Sequence, residues 1–140
     1  MIRPKENVLT LGAVAYDAKV VTIWDGFQRF FAEKGLAFDY VLYTNYERQV
    51  EGHFAGEYDV AWNSPLAWLE AERLAPTRGK KARAIAMRDT DRDLTSVVLV
   101  RADGPVKTLA DLAGKRVAVG AEDSPQATLL PLLLLADHGV

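Results

Sequence analysis

The sequence contains no cysteine, and its 140 residues include only two histidines and two methionines. Without cysteine there are no disulfides, no thiolate metal sites and no cysteine nucleophile. This suits a reducing or an oxidising compartment equally. His53 and His138 stand far apart and in no metal spacing of the H-E-x-x-H kind. A G-x-S-x-G elbow, a P-loop and a G-x-G-x-x-G turn are all missing. The acidic stretch Asp89-Thr90-Asp91-Arg92-Asp93 lacks the glycine and the distant glutamate of a calcium loop, so it reads as a solvated connector. No cofactor and no metal site is expected.

Basic charge is not in excess either. Lys and Arg number 17 against 19 Asp and Glu, a net charge of −2. A nucleic-acid partner would call for a basic patch or stripe, so none is expected. The cluster Arg78, Lys80, Lys81 and Arg83 reads as a solvated loop. Long apolar runs are absent too. The most apolar stretch, Leu129 to Ala136, contains Pro131 and falls well short of the roughly 20 residues that span a bilayer. The start, Met1 to Asn7, is polar and carries no apolar signal segment.

What is present is a chain that is 49% apolar, enough for a real core. The length suits one domain, or one complete domain and part of a second. Val8–Ala15 is an apolar run that predicts a buried strand. From Lys19, the residues Val20, Ile23, Trp24, Phe27, Phe30 and Phe31 recur at helical steps, and Gly35 is a C-terminal stop. Phe38–Tyr43 predicts a second strand, Tyr46 to Phe54 a second helix ended by Gly56, and Tyr58–Trp62 a third strand. Asn63-Ser64-Pro65 is a helix-start signal, with the helix running to about Leu74. Strands are expected at Ala82–Met87, Thr95–Val100 and Arg116–Val119. A short helix is expected at Thr108–Leu112, and a last one from Asp123-Ser124-Pro125 to Asp137. Alternation of this kind predicts an α/β fold with a mostly parallel sheet flanked by helices. A new strand-helix series opens after Thr95 and is too short to cover a sheet on both faces, so a second, incomplete unit is expected.

In open α/β sheets, ligands bind beyond the carboxyl ends of the strands. The residues there are Tyr16 and Asp17 after the first strand, Asn45 and Tyr46 after the second, and Asn63 and Ser64 after the third. Gly120, Glu122, Asp123, Ser124 and Gln126 follow the strand at 116–119. They bring hydroxyls, amides and helix ends whose free N–H groups attract oxyanions. Tyr16, Asn45, Tyr46, Ser64, Ser124 and Gln126 are the candidate ligand contacts. Each has a structural alternative. Ser64 and Ser124 fit helix caps, Asn45 a turn, and Tyr16 and Tyr46 packing on the sheet edge. Asp17 fits a cap of the first helix, and Trp62 and Trp68 fit the core. No catalytic constellation appears among these residues.

The segment Thr108-Leu109-Ala110-Asp111-Leu112-Ala113-Gly114-Lys115-Arg116-Val117-Ala118-Val119-Gly120 resembles the DL-GK signature of type 2 periplasmic binding proteins. It is similar above all to the phosphate, phosphite and phosphonate receptors of ABC transporters. Leu11–Tyr16 resembles the family's first strand and loop. Gly56–Ala61 resembles its approach to the third strand, Ser64–Trp68 the helix start that follows, and Ser96–Arg101 the strand after the first crossover. The likeness runs from about Val8 to Val140.

The resemblance implies two lobes, 1–95 and 96–140. The second is truncated, the chain corresponding to the N-terminal half of such a receptor, and a small ligand lies in the cleft between them. It implies an ABC permease in the membrane as partner. It also implies a periplasmic or membrane-associated place, although a chain without a signal segment also fits the cytoplasm. At the family's Ser-Thr-Ser-Gly oxyanion stretch, Ser124 matches the first serine. Gln126 and Ala127 replace the second serine and the glycine, and Pro125 has no N–H. The expected function is capture of a small polar or anionic, phosphonate-like solute without covalent chemistry. The alternatives are a cofactor-biosynthesis enzyme or a ligand-sensing domain on the same fold.

Overall fold

The computed structural model describes residues 4–140, which divide between Arg83 and Ala84 into two compact units.

The first unit is a parallel three-stranded sheet between helices. Its strands are β1 (Leu9–Val14), β2 (Phe38–Tyr43) and β3 (Val60–Ala61), in the order β2-β1-β3. β1 pairs with β2 from Leu9↔Phe38 to Val14↔Tyr43, and with β3 at Leu11↔Val60 and Gly12↔Ala61. The helices are α1 (Lys19–Glu33), α2 (Tyr46–Phe54) and α3 (Pro65–Leu74).

Strand alternation divides the side chains between two faces. Leu11 and Ala13 of β1 join Phe38 of β2 in one core with Val20 and Trp24 of α1, and Phe31, Tyr40 and Val60 pack around it. Val14, Tyr43 and Tyr58 form the core of the other face, with Val41, Tyr46 and Ala61 against it. The helical stripe of α1 is met in part: Val20 and Trp24 are buried and the Phe31 ring lies tilted 4.9 Å from Phe38, whereas Ile23, Phe27 and Phe30 are exposed. Removing a buried aliphatic or aromatic side chain of this kind from water is worth about 1.5–3 kcal/mol. Gly35, at a φ of +75°, ends the first crossover in a conformation that glycine adopts without strain.

One polar feature ties the sheet to α2, and another ties β1 to the approach to β3. The Tyr58 hydroxyl donates to the main-chain oxygen of Gln49 at 2.5 Å. Its ring lies so close over Gly12 that a β-carbon there would overlap it. At the other end of β1, Asp59 exchanges two bonds with Thr10: the Thr10 N–H donates to Asp59 Oδ2 and the Asp59 N–H to the Thr10 carbonyl, each at 2.9 Å. The basic loop is anchored as well as solvated. Lys80 Nζ donates to the Phe54 carbonyl at 2.7 Å, and Arg78 pairs with Glu51 at 3.1 Å.

The second unit departs from expectation. The strands expected at Ala82–Met87, Thr95–Val100 and Arg116–Val119 do not form ladders. β-propensity and alternation record a tendency to pair, whereas a strand exists only with a hydrogen-bonded neighbour. The apolar residues of these segments accordingly stay exposed, Leu99 by 87% and Ile85 by 73%. The expected short helix is a 3₁₀ turn, Leu109–Leu112. The last helix opens as a π-helical turn, Pro125–Leu129, and continues as α4 (Leu130–Asp137).

Asp111 explains the DL-GK pattern locally. Its Oδ2 accepts from the main-chain N–H groups of Lys107 (2.9 Å) and Thr108 (2.8 Å) and from Thr108 Oγ1 (3.0 Å). Those bonds hold its carboxyl below the ordinary carboxylate range.

Candidate functional site at the sheet's carboxyl edge

Strand order marks a candidate site. β1 leads through α1 to β2 on one side of itself, while β3 lies on its other side. The connections therefore diverge at the carboxyl ends of β1 and β3, and such a switch point opens a crevice between the loops. The loop after β1 carries Tyr16 and Asp17. The loop after β3 carries Trp62, Asn63 and Ser64.

Tyr16 is 75% exposed. Asp17 Oδ1 accepts from the Lys19 N–H at 2.7 Å and steadies the start of α1, although Ala18 is the formal cap. Ser64 caps α3: its Oγ accepts from the Ala67 N–H at 3.2 Å, and its carbonyl accepts from Trp68 at 2.9 Å. Pro65 follows in the first turn, where a missing N–H costs nothing, and Leu66 keeps an N–H without an intrahelical partner. Asn45 caps α2, its Oδ1 accepting from the Arg48 N–H at 2.8 Å. Tyr46, the first residue of α2, is half-buried. It packs on Tyr43 and Tyr58 on one side and on Val50, Ala67 and Ala71 on the other. Tyr46 thus joins the sheet-face core to the core between α2 and α3. Trp62, expected in the core, is 37% exposed and meets buried Trp24 edge-on at 5.7 Å.

The second unit holds the other two candidates. Ser124 caps the turn Pro125–Leu129, its Oγ accepting from Ala127 at 3.2 Å and its carbonyl from Thr128 and Leu129 at 3.1 Å each. The Gln126 carbonyl accepts from Ser96 Oγ at 2.7 Å. Both side chains are half-buried.

Sequence reasoning passed over Gln49. It is fully buried, and its Nε2 lies 3.0 Å from the Gly12 carbonyl, 3.0 Å from the Trp62 carbonyl and 3.1 Å from Asn63 Oδ1. It bridges β1 to the loop after β3 at the switch point itself. The signal was a polar residue three positions after Tyr46 and next to Val50, on the stripe that faces the sheet.

Burial tunes titratable groups of the first unit. Tyr43 and Tyr58 are pushed well above the ordinary phenol range, in both cases chiefly by desolvation, with Glu57 adding to the shift at Tyr43 through a 2.8 Å bond. His53, stacked on Tyr58 at 4.9 Å, is lowered by burial, with Lys80 adding to the effect and the Asp59 carbonyl opposing it. Among the described residues no group of three or more His, Cys, Asp or Glu side chains is placed to hold a metal.

A parallel α/β unit with capped helix starts beside a switch point is the architecture of a small-molecule binding domain. Over residues 13–140 the chain matches the family described as ABC transporter, phosphonate, periplasmic substrate-binding protein, and it belongs to that family. Its fold is therefore the type 2 periplasmic-binding-protein fold, here with the three-stranded parallel sheet of the first unit. No helix among the described residues is long and apolar enough to cross a membrane.

Proposed function

We propose that this chain captures a small oxyanion of the phosphonate type for an ABC permease and performs no covalent chemistry on it. The carrying observation is the carboxyl edge of the first unit. There the capped start of α3 and the Asn63 amide stand beside the β1–β3 switch point. Helix-start N–H groups and a neutral amide replace the hydration of an oxyanion without offering a nucleophile.

In this reading Tyr16, Asn45, Tyr46 and Ser64 are the contacts from lobe one, residues 1–95. Ser124 and Gln126 are those from lobe two, which starts near Ser96. With Pro125 lacking an N–H and Gln126 in place of a serine, fewer donors are fixed around the anion. A compact phosphonate or phosphite suits such a site, its oxygens met by side-chain amides and hydroxyls. The family implies a periplasmic or membrane-associated setting with the permease as partner.

Isothermal titration with methylphosphonate, phosphite, phosphate and an uncharged control such as glycerol tests this. Saturable binding of one or more oxyanions, with no turnover detected by phosphorus NMR, is the expected result. Heat of binding from glycerol alone, or conversion of any of these compounds, would contradict it.

A further inference from the structure

The Gln49 amide meets three oxygen atoms through its nitrogen: the carbonyls of Gly12 and Trp62 and Oδ1 of Asn63. This fixes which end of each amide faces which way. The two main-chain carbonyls require the atom facing them to be the N–H₂ group, because an oxygen there would face two others, and its two hydrogens are shared among the three acceptors. The Gly12 carbonyl also accepts from the Trp62 N–H at 2.9 Å, so the backbone on both sides is already set by the ladder. Asn63 must then turn its oxygen inward, and its Nδ2 is left over. Nδ2 has no hydrogen bond among the described residues, and it is not buried. Gln49 Oε1 is buried, and it too has no partner among the described residues. A buried acceptor left in that state costs stability. An apolar side chain would avoid that cost, but it would take the Gln49 donor away from the Trp62 carbonyl and Asn63 Oδ1.

We infer that Gln49 is a positioning residue for ligand recognition. It holds the Asn63 amide with its oxygen inward, so that the switch-point crevice presents a donor there. This rests on the receptor reading above and deepens it. An amide free to rotate would offer donor or acceptor equally. A fixed one favours ligands whose exposed atoms are all acceptors, such as a phosphonate or phosphite, over ligands that present ammonium or hydroxyl hydrogens at that point. Gln49 touches no ligand in this arrangement. It acts through Asn63 alone.

A double-mutant cycle read by calorimetry with methylphosphonate tests the inference. N63A removes the donor and Q49L removes its support, and each should weaken binding by about tenfold, the worth of one hydrogen bond to a charged group. The double variant should bind no more weakly than N63A, because Gln49 has nothing left to position. Independent losses that multiply in the double variant would overturn the inference. N63D covers the possibility that Q49L does not fold. Its carboxylate still accepts from Gln49, and it should stay folded while binding falls at least as far as in N63A. Unchanged affinity in folded N63D would also overturn the inference. If the wild-type protein bound none of methylphosphonate, phosphite or phosphate, the receptor reading would fail and the inference with it. Wild-type binding with unaffected variants would sink the inference alone.

Discussion

The phenol ring of Tyr58 covers Gly12 on the central strand, and its hydroxyl reaches past that strand to the main-chain oxygen of Gln49. One aromatic residue thereby fills the space a side chain would occupy on β1 and ties α2 to the sheet. G12A should force the ring aside and cost about 1–3 kcal/mol, the usual penalty of overpacking a filled core. Urea denaturation would measure it. Y58F keeps the packing and removes only the hydroxyl, so a loss of about 1 kcal/mol is expected, from one buried bond. Equal losses in the two variants would mean that the hydrogen bond, and not the packing, dominates.

His53 gives the first unit a pH dependence with a definite sign. Its folded value lies below the ordinary 6.5, chiefly because burial disfavours the charged ring. As pH falls through about 6.5, the unfolded chain takes up a proton that the folded one resists, so stability drops on the acid side and is fully present above it. H53F should flatten the unfolding free energy between pH 7 and 5, roughly the window in which imidazole titrates. A wild-type curve that rises on acidification in that window would contradict the burial argument.

The two buried tyrosines act at the other extreme. Tyr43 and Tyr58 ionise in the unfolded chain near 10 and are pushed higher in the fold. Stability should hold below that pH and fall as pH rises past it. Y43F should weaken this alkaline loss, and it also breaks the bond to Glu57 Oε2. Spectrophotometric titration of tyrosinate at 295 nm, roughly the band followed in phenol titrations, would show late ionisation only while the chain is folded.

Caps and contacts can be separated at the two serines. S64A should cost about 1 kcal/mol by uncapping α3. S124A uncaps only a short turn in the second unit, so the fold should change little. Under the receptor reading both variants lose affinity for methylphosphonate. Calorimetry beside thermal melts separates the effects, and unchanged affinity in S124A would remove Ser124 from the site.

Much of the first unit was legible in the residues because its signals are local. The recurrence of Val20, Ile23, Trp24, Phe27, Phe30 and Phe31 specified α1 but not which of them are buried, Phe38–Tyr43 specified β2, and Ser64-Pro65 specified the start of α3. β3 shrank from the expected Tyr58–Trp62 to Val60–Ala61 because Tyr58 leaves the ladder to cover Gly12. That contact is between residues far apart in sequence, and no local pattern records it. The segments at 82–87, 95–100 and 116–119 carry strand-forming residues, but a pairing partner is not a local property either. Among the candidates, the caps Ser64 and Ser124 were readable from residue type and position, whereas Asn45, read as a turn residue, caps α2. Gln49 was not, because glutamine on a helix ordinarily faces solvent. Only the sheet beneath it reveals that it bridges two strands.

We propose that oxyanion capture involves the carboxyl edge of the first unit. The contrasting place is the opposite end of the sheet. A shallow groove of about 480 Å³ lies there, lined by Lys5, Gln28, Gly35, Phe38 and Asp39, with Lys5 and Asp39 paired at 2.6 Å. Proton–nitrogen NMR of the labelled chain during a methylphosphonate titration distinguishes the two ends most directly. We expect the Leu66 and Ala67 amides and the Asn63 side-chain amide to shift in a saturable way. Shifts confined to Lys5, Phe38 and Asp39, or none at all, would contradict the claim.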